Sequence, residues 1–353
     1  MTLELHFVII PTIMERSGKL DVGIVGYGFA GGLHEQALRQ DPRVGKISVF
    51  DIDPAVRNLA ESSGIDTHST LDGLLSSLPD VVIIATPPTE HLPDIEAISA
   101  RDRRPKALVV EKPLAHNSGE ALKIEQTLKG TDMLVMAGFT GHFHPEYKRA
   151  WELINAGVIG DIILFQENIH IAGGPSFPQH FLEPEFGGII VHDGDHTVDH
   201  MFLLTGRENW DVKDARCGNN FWNKSVPDWG QATLESNGLG AQVSWAWPSK
   251  YEFGLGDYQT MIIGTKGAIK IDGFDRIRWM SNDGNRWHEE LFHKPDSSFT
   301  QRHLPGFINE GKAILDAIER GKMLSNAINP SIAYGVQVHR VLDKIVNATQ
   351  LQK

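Results

Sequence analysis

The chain has 353 residues, 41% hydrophobic and 22% charged, with a formal net charge of -12, the composition of a globular protein long enough for two domains. The acidic balance argues against a nucleic-acid partner, and no apolar run is long enough to span a membrane. A single cysteine, Cys217, excludes an internal disulfide and fits a reducing cytoplasm.

Residues 1–18 read as an appendage: the apolar patch from Phe7 to Ile10 follows Glu4 rather than a basic start and meets Pro11 too early for a signal peptide, while Met14 offers a later start. Residues 22–25 form a short apolar strand that runs into Gly26-Tyr27-Gly28-Phe29-Ala30-Gly31, a G-x-G-x-x-G pattern. Such glycines allow a tight turn, close backbone approach to a pyrophosphate, and close packing of the next helix, whose free N–H groups hold the phosphates. A helix over residues 30–40 and a second strand over 47–50 follow. That strand ends at Asp51, 20 residues beyond Gly31, where a carboxylate accepts ribose hydroxyl bonds. Asp53-Pro54 competes for the role but suits an N-cap followed by Pro at the first helical position. A carboxylate at 51 repels a 2′-phosphate, favouring NAD over NADP, with Arg57 moderating the preference.

Further along, a helix from 54 to about 63 stops at Gly64. Residues 81–85 make a buried parallel strand ending at Thr86-Pro87-Pro88-Thr89-Glu90-His91, and a helix spans about 90–100. The strand 107–110 ends at Glu111-Lys112-Pro113; Ser118 caps a helix to 128, and 133–137 is a further strand. Alternating strand and helix predicts an α/β fold class, with a Rossmann domain (a doubly wound parallel sheet) over 19–138. Beyond Gly138 the pattern changes to one helix (144–155) and successive strands at 162–171, 231–235, 240–247, 257–263 and 268–271. The last two strands are joined by a Gly264-Thr265-Lys266-Gly267 hairpin turn. This second unit, 139–353, is expected to be an α+β domain with a large open, mainly antiparallel sheet covered on one face by helices, including a final one over 331–349.

Strand ends face the ligand crevice in such sheets. The dinucleotide-lining set is therefore Gly26, Gly28, Phe29, Ala30, Gly31, Asp51, Ile52, Thr86, Pro87, His91, Glu111 and Lys112. Lys112 stands where a desolvated amine would polarise a substrate oxygen. The segment from Gly187 to His200 carries His192, His196, His200, Asp193, Asp195 and Asp199; if helical, it sets His192 and His196 one turn apart. A histidine there suits proton transfer to or from a hydroxyl, oriented by a neighbouring carboxylate. Two His four apart also admit a zinc or manganese reading with Glu167, His170 or His180 as a further ligand; there is no H-E-x-x-H motif, and no metal is expected. His142, His144, Trp229, Trp245, Trp247 and Tyr258 are candidates to line a sugar pocket, though most are expected to serve the core.

The segments VGIVGYGFAGGLHEQAL, IIATPPTEH, VVEKPL, GFTGHFHPEYKRAWELINAGVIGDI, GGIIVHDGDHTVDH and IIGTKGAIKID together resemble the glucose-fructose oxidoreductase, inositol dehydrogenase and rhizopine catabolism (Gfo/Idh/MocA) family from about Leu20 to the C-terminus. The resemblance implies NAD(P)-dependent transfer of a hydride to or from a sugar, cyclitol or related polyol. It also implies a homodimer or homotetramer formed through the open sheet. The Lys of Glu-Lys-Pro and the His of G-G-x-x-x-D-x-G-x-H match Lys112 and His196 beside the carbinol, and the segment's usual Asp falls on His192. The expected catalytic set is Lys112, His196, His192 and Asp195, with Asp195 or Asp193 supplying the charge that His192 does not. Two rival functions stay open: NAD-assisted glycoside cleavage without net redox change, and a non-catalytic protein that senses a sugar and NAD.

Overall fold

The computed structural model describes residues 18–171, 179–249, 257–282, 286–294, 297–323 and 330–350. The expected appendage lies outside them apart from Gly18. From Leu20 the chain alternates strand and helix: β1 (Leu20–Val25), α1 (Phe29–Leu38), β2 (Val44–Phe50), α2 (Pro54–Ser62), β3 (Asp66–His68), α3 (Leu71–Ser76), β4 (Val81–Ile84), α4 (Pro88–Ser99), β5 (Ala107–Glu111), α5 (Ser118–Leu128) and β6 (Leu134–Gly138). The six strands form one parallel sheet in the order β3-β2-β1-β4-β5-β6, with the topological switch between β1 and β4. Central strands covered on both faces must be apolar throughout, and every residue of β4 is buried. Each fully buried Val, Ile or Leu there stabilises the fold by about 1.5–3 kcal/mol.

The remaining elements are α6 (Pro145–Asn155), β7 (Ile162–His170), α7 (Gly188–His192), α8 (Gly194–Thr205), β8 (Asp211–Gly218), β9 (Trp229–Ser236), β10 (Leu239–Ala246), β11 (Asp257–Gly264), β12 (Gly267–Asp272), β13 (Arg276–Ser281), β14 (His288–Leu291), α9 (Phe299–Arg320) and α10 (Ile332–Gln350). The strands build an eight-stranded sheet, β14-β13-β12-β11-β7-β10-β9-β8, antiparallel except for the β7–β10 pair. Its strands alternate buried and exposed residues, so one face meets α6 and α8 while the other stays open and polar. The expected hairpin turn joins β11 to β12, with Ile263 opposite Ala268.

Besides β3, α3, β8, β13 and β14, two larger features were not read from the sequence. The Gly187–His200 segment is two helices, α7 and α8, broken at Asp193, rather than one continuous helix. The longest helix, α9, passes through Pro305 and starts from a capping box: Ser298 Oγ accepts from Gln301 N while Gln301 Oε1 accepts from Ser298 N. Rather than covering the second sheet alone, α9 returns to the first, where Phe307 clusters with Leu33 and Ala37 of α1. In the same way α10 lies against α5. Among the described residues no helix is long and apolar enough to cross a membrane.

Candidate active site

The glycine loop leaves β1 through Gly26, whose φ of +87° lies in the left-handed region. A Cβ on Gly26 would fall 2.6 Å from the Ala85 carbonyl, and one on Gly31 would fall 2.2 Å from the Gly26 carbonyl. Only glycine fits either position. Gly28 has nothing within 4 Å of a built Cβ, and it caps α1 with no side-chain hydrogen bond. The first N–H groups of α1 therefore lack intrahelical partners beside an open surface, as pyrophosphate binding requires.

Asp51 emerges half-buried beyond β2, accepting from Tyr27 N at 2.8 Å and from Asp53 N at 2.9 Å. Asp53 caps α2 through Ala55 N, as expected. Arg57 donates to the carbonyls of Asp51 and Ile52. Ile52 is 87% exposed and Phe29 58%, leaving apolar surface on either side of the glycine loop and the carboxylate. These residues fit a dinucleotide: N–H groups for phosphates, a carboxylate for a ribose, apolar faces for rings.

The other cofactor candidates differ in exposure. Thr86 turns its hydroxyl to Asp94, and Pro87 is exposed at the start of α4. His91 presents no free edge: its buried ring lies 3.1 Å by Nδ1 from the Leu114 carbonyl and 2.9 Å by Nε2 from that of Thr86. It braces the loops after β4 and β5 against each other. Glu111 is likewise buried, behind Lys112.

Lys112 follows β5 through a cis Lys112–Pro113 bond, half-exposed, with Nζ 3.3 Å from the His192 carbonyl. That contact joins the first sheet's crevice to the end of α7. The break at Asp193 turns His192 and His196 apart. His192 lies between Phe181 and Trp247, at ring separations of 4.2 and 5.7 Å, and bonds through Nδ1 to Asp193 Oδ1. His196, in the first turn of α8, is half-exposed and parallel to His200 at 6.2 Å. Its pKa lies well below the ordinary value, first through burial and then through the positive charge of Lys112, so it is neutral at neutral pH and can accept a proton.

Of the two aspartates expected to supply charge, Asp193 is the one gripped by donors: Trp247 Nε1 at 2.6 Å and the His192 ring at 2.8 Å. Asp195 is fully buried with neither oxygen hydrogen-bonded, and burial pushes its carboxyl up to about 8 despite the opposing pull of Lys112. At neutral pH it is mostly an acid, so it does not replace the missing anion.

The residues proposed to join His192 and His196 around a metal are held elsewhere. Glu167 bonds His200 Nδ1 at 3.0 Å and the Thr260 hydroxyl at 2.6 Å, and His170 bonds Ser244. The His180 side chain lies outside the described ones. Trp245 and Trp247 are buried and use their N–H groups to fasten α8 and Asp193 to β10 and its end, and Tyr258 is 6% exposed; Trp229 is half-buried and donates to Asn220. His142 and His144 are also buried, His142 against Asp199 and Tyr334, His144 stacked 4.4 Å from Phe274.

One residue that sequence reasoning missed is His303, at the start of α9. Its ring lies 3.9 Å from Phe299, 4.4 Å from Phe274 and 5.9 Å from His144, and Phe299 in turn lies 5.4 Å from Phe29 of the glycine loop. Nδ1 donates to the Phe299 carbonyl, and burial lowers the ring's pKa to about 4, leaving Nε2 as a neutral acceptor. The Ser298–Gln301 capping box was the signal that would have placed it.

The chain is similar to known proteins over most of its length. A model of an oxidoreductase family with an NAD-binding Rossmann fold, GFO_IDH_MocA, matches residues 20–139, and that of the GFO/IDH/MocA C-terminal domain matches residues 147–270. An uncharacterised oxidoreductase of Streptococcus pneumoniae serotype 4 is 29% identical over 271 residues, covering 74% of this chain and 71% of its own. The rhizopine catabolism protein MocA of Rhizobium meliloti is 28% identical over 264 residues, 72% of this chain and 79% of its own. Among solved structures, levoglucosan dehydrogenase in complex with NADH and levoglucosan shares the fold at a TM-score of 0.81 and 20% identity, over 95% of this chain and 98% of that one.

Proposed function

The chain belongs to the Gfo/Idh/MocA family of NAD-binding oxidoreductases, and on that premise we propose that it moves a hydride between nicotinamide and a CH–OH carbon of a sugar, cyclitol or related polyol. The observation that carries the reading is the meeting of β5 and α7–α8: Lys112, anchored on the His192 carbonyl, lies beside a neutral, half-exposed His196. The levoglucosan dehydrogenase likeness supports a carbohydrate-like substrate.

NAD, when bound, supplies the hydride acceptor or donor. The glycine loop and the start of α1 hold its phosphates, and Asp51 holds a ribose and disfavours NADP. Lys112 donates to the substrate oxygen and stabilises negative charge developing there. His196 Nε2 or Nδ1 takes the hydroxyl proton as the carbinol is oxidised and returns it in the reverse direction. His192, fixed by Asp193, Phe181 and Trp247 and offering its carbonyl to Lys112, contributes to substrate selection. The division of labour is residues 19–138 for the dinucleotide and 139–353 for the substrate and for subunit contacts. The polar open face, with Gln166 bonded to Gln242 and Ser244 to Asn168, joins copies of the chain into a dimer or tetramer.

The experiment is formation of reduced nicotinamide from NAD+ with a panel of inositols, aldoses, sugar acids and glycosides. The expected result is net reduction with at least one polyol. Binding of NAD and sugar with no reduction across the panel would overturn the dehydrogenase reading in favour of a binding protein, and bond cleavage without net reduction would favour transient oxidation.

A further inference from the structure

Behind the Lys112 strand end lies a buried group that the reading above does not use. His34 of α1 is 1% exposed, Glu111 of β5 is 4% and Glu310 of α9 is 1%. His34 Nε2 lies 2.7 Å from Glu111 Oε1, and its Nδ1 lies 3.9 Å from Glu310 Oε2. The other Glu111 oxygen, Oε2, accepts the Lys112 backbone N–H at 3.0 Å. Among the described residues His34 is the sole basic side chain within ion-pair distance of Glu310. Both Glu310 oxygens and His34 Nδ1 are buried without a hydrogen-bond partner.

Two carboxyls and an imidazole sealed from water need either a cation or a proton between them. One ligand-type atom from each residue falls within 4.8 Å of the others. Yet the imidazole turns one nitrogen toward each carboxyl, an arrangement that suits a shared proton better than a single cation. Burial pushes the Glu310 carboxyl well above its usual range, reinforced by Glu111 and Asp199, so Glu310 is the acid of the group. A protonated carboxyl facing Nδ1 at 3.9 Å favours that nitrogen as the one without hydrogen. The ring hydrogen is then on Nε2, directed at Glu111. Phe307 holds the ring from the side, edge-on at 4.8 Å.

We propose that Glu310 and His34 are positioning residues for Lys112: Glu310 fixes the imidazole tautomer, His34 orients Glu111, and Glu111 grips the backbone of the lysine. The inference rests on the proposed role of Lys112. It makes α9, contributed after the second sheet, a brace of the catalytic strand end rather than a covering helix. Outer partners that orient a working side chain in this way typically change activity by about 10- to 100-fold when removed.

The test uses the full-length chain with the variants His34→Leu, His34→Gln, Glu310→Leu and Glu310→Gln. His34→Leu is expected to lower kcat by about 10- to 100-fold with NAD affinity unchanged, and His34→Gln, which returns an N–H near the Nε2 position, to restore kcat to within about threefold. Glu310→Gln should stay close to wild type and Glu310→Leu should fall about tenfold. Equal losses in the Leu and Gln variants, or a His34→Leu kcat within twofold of wild type, would overturn the proposal. A readout independent of turnover separates its failure from that of the dehydrogenase reading: the NMR signal of 13C-methylated Lys112, assigned by its absence in Lys112→Arg. That signal should shift in His34→Leu and return in His34→Gln; an unchanged signal would refute the brace even if no substrate is found.

Discussion

The two halves of the crevice are built in opposite ways. On the dinucleotide side, function resides in backbone: Gly26 and Gly31 are shaped by carbonyls 2.6 and 2.2 Å from where a side chain would begin, and α1 offers its unpaired N–H groups. On the proposed substrate side, the candidate residues are side chains assembled from distant elements: Lys112 after β5, and His192 and His196 on α7 and α8. The contrast teaches which changes each side tolerates. A backbone cradle is lost by adding one methyl group, whereas a side-chain constellation is lost by removing one functional group and can leave the cradle intact.

That contrast breaks most visibly at Lys112. Lys112→Ala is expected to lower kcat/KM by about 10²- to 10⁴-fold while NAD affinity changes little, checked by steady-state rates beside calorimetric titration. Gly31→Ala should show the converse. Its Cβ must displace the Gly26 carbonyl, so NAD affinity falls by at least about tenfold and the thermal midpoint drops, equivalent to about 1–3 kcal/mol. Asp51→Ala is milder: NAD binding weakens about tenfold and the advantage over NADP narrows, measured as the ratio of the two dissociation constants. An unchanged ratio would refute the ribose role.

A further effect concerns stability and has a defined sign. Asp195 binds its proton more tightly when folded, with a pKa of about 8, than the ordinary value of about 4 when unfolded. The folded state therefore holds more protons between these values, and the wild type loses stability as pH rises from about 4 to about 8. Asp195→Asn cannot ionise, so its advantage should widen steadily as pH rises across that window and stay flat above it, as followed by denaturant unfolding at several pH values. A gap independent of pH would show that Asp195 is not held as an acid.

The same contrast explains what the sequence disclosed. Five of the six parallel strands, the glycine loop and Asp53 as a cap were legible because glycine spacing, apolar runs and capping residues are local chemistry, whereas the three-residue β3 has no apolar run to mark it. The His-rich segment was legible as a cluster but not as a shape, because the Asp193 break between α7 and α8 sends His192 toward Trp247 and leaves His196 over His200. The charge substituting for the family's aspartate was open between Asp193 and Asp195; what separates them is hydrogen bonding, since Asp193 is bonded by Trp247 while, among the described residues, neither Asp195 oxygen has a hydrogen-bond partner. His34 and Glu111 are 77 residues apart, a pairing that no local pattern announces. Helix α9 was missed although Ser298 and Gln301 carried its start, because Pro305 interrupts the pattern that would have marked its body.

The most direct measurement compares wild type and His196→Ala side by side, following formation of reduced nicotinamide with the best polyol while titrating NAD+ by calorimetry. The account predicts NAD affinity within about threefold of wild type and turnover lowered by at least about 10²-fold. Turnover near the wild-type rate, or binding lost in step with it, would contradict the separation of a backbone-built cofactor cradle from a side-chain-built centre of chemistry.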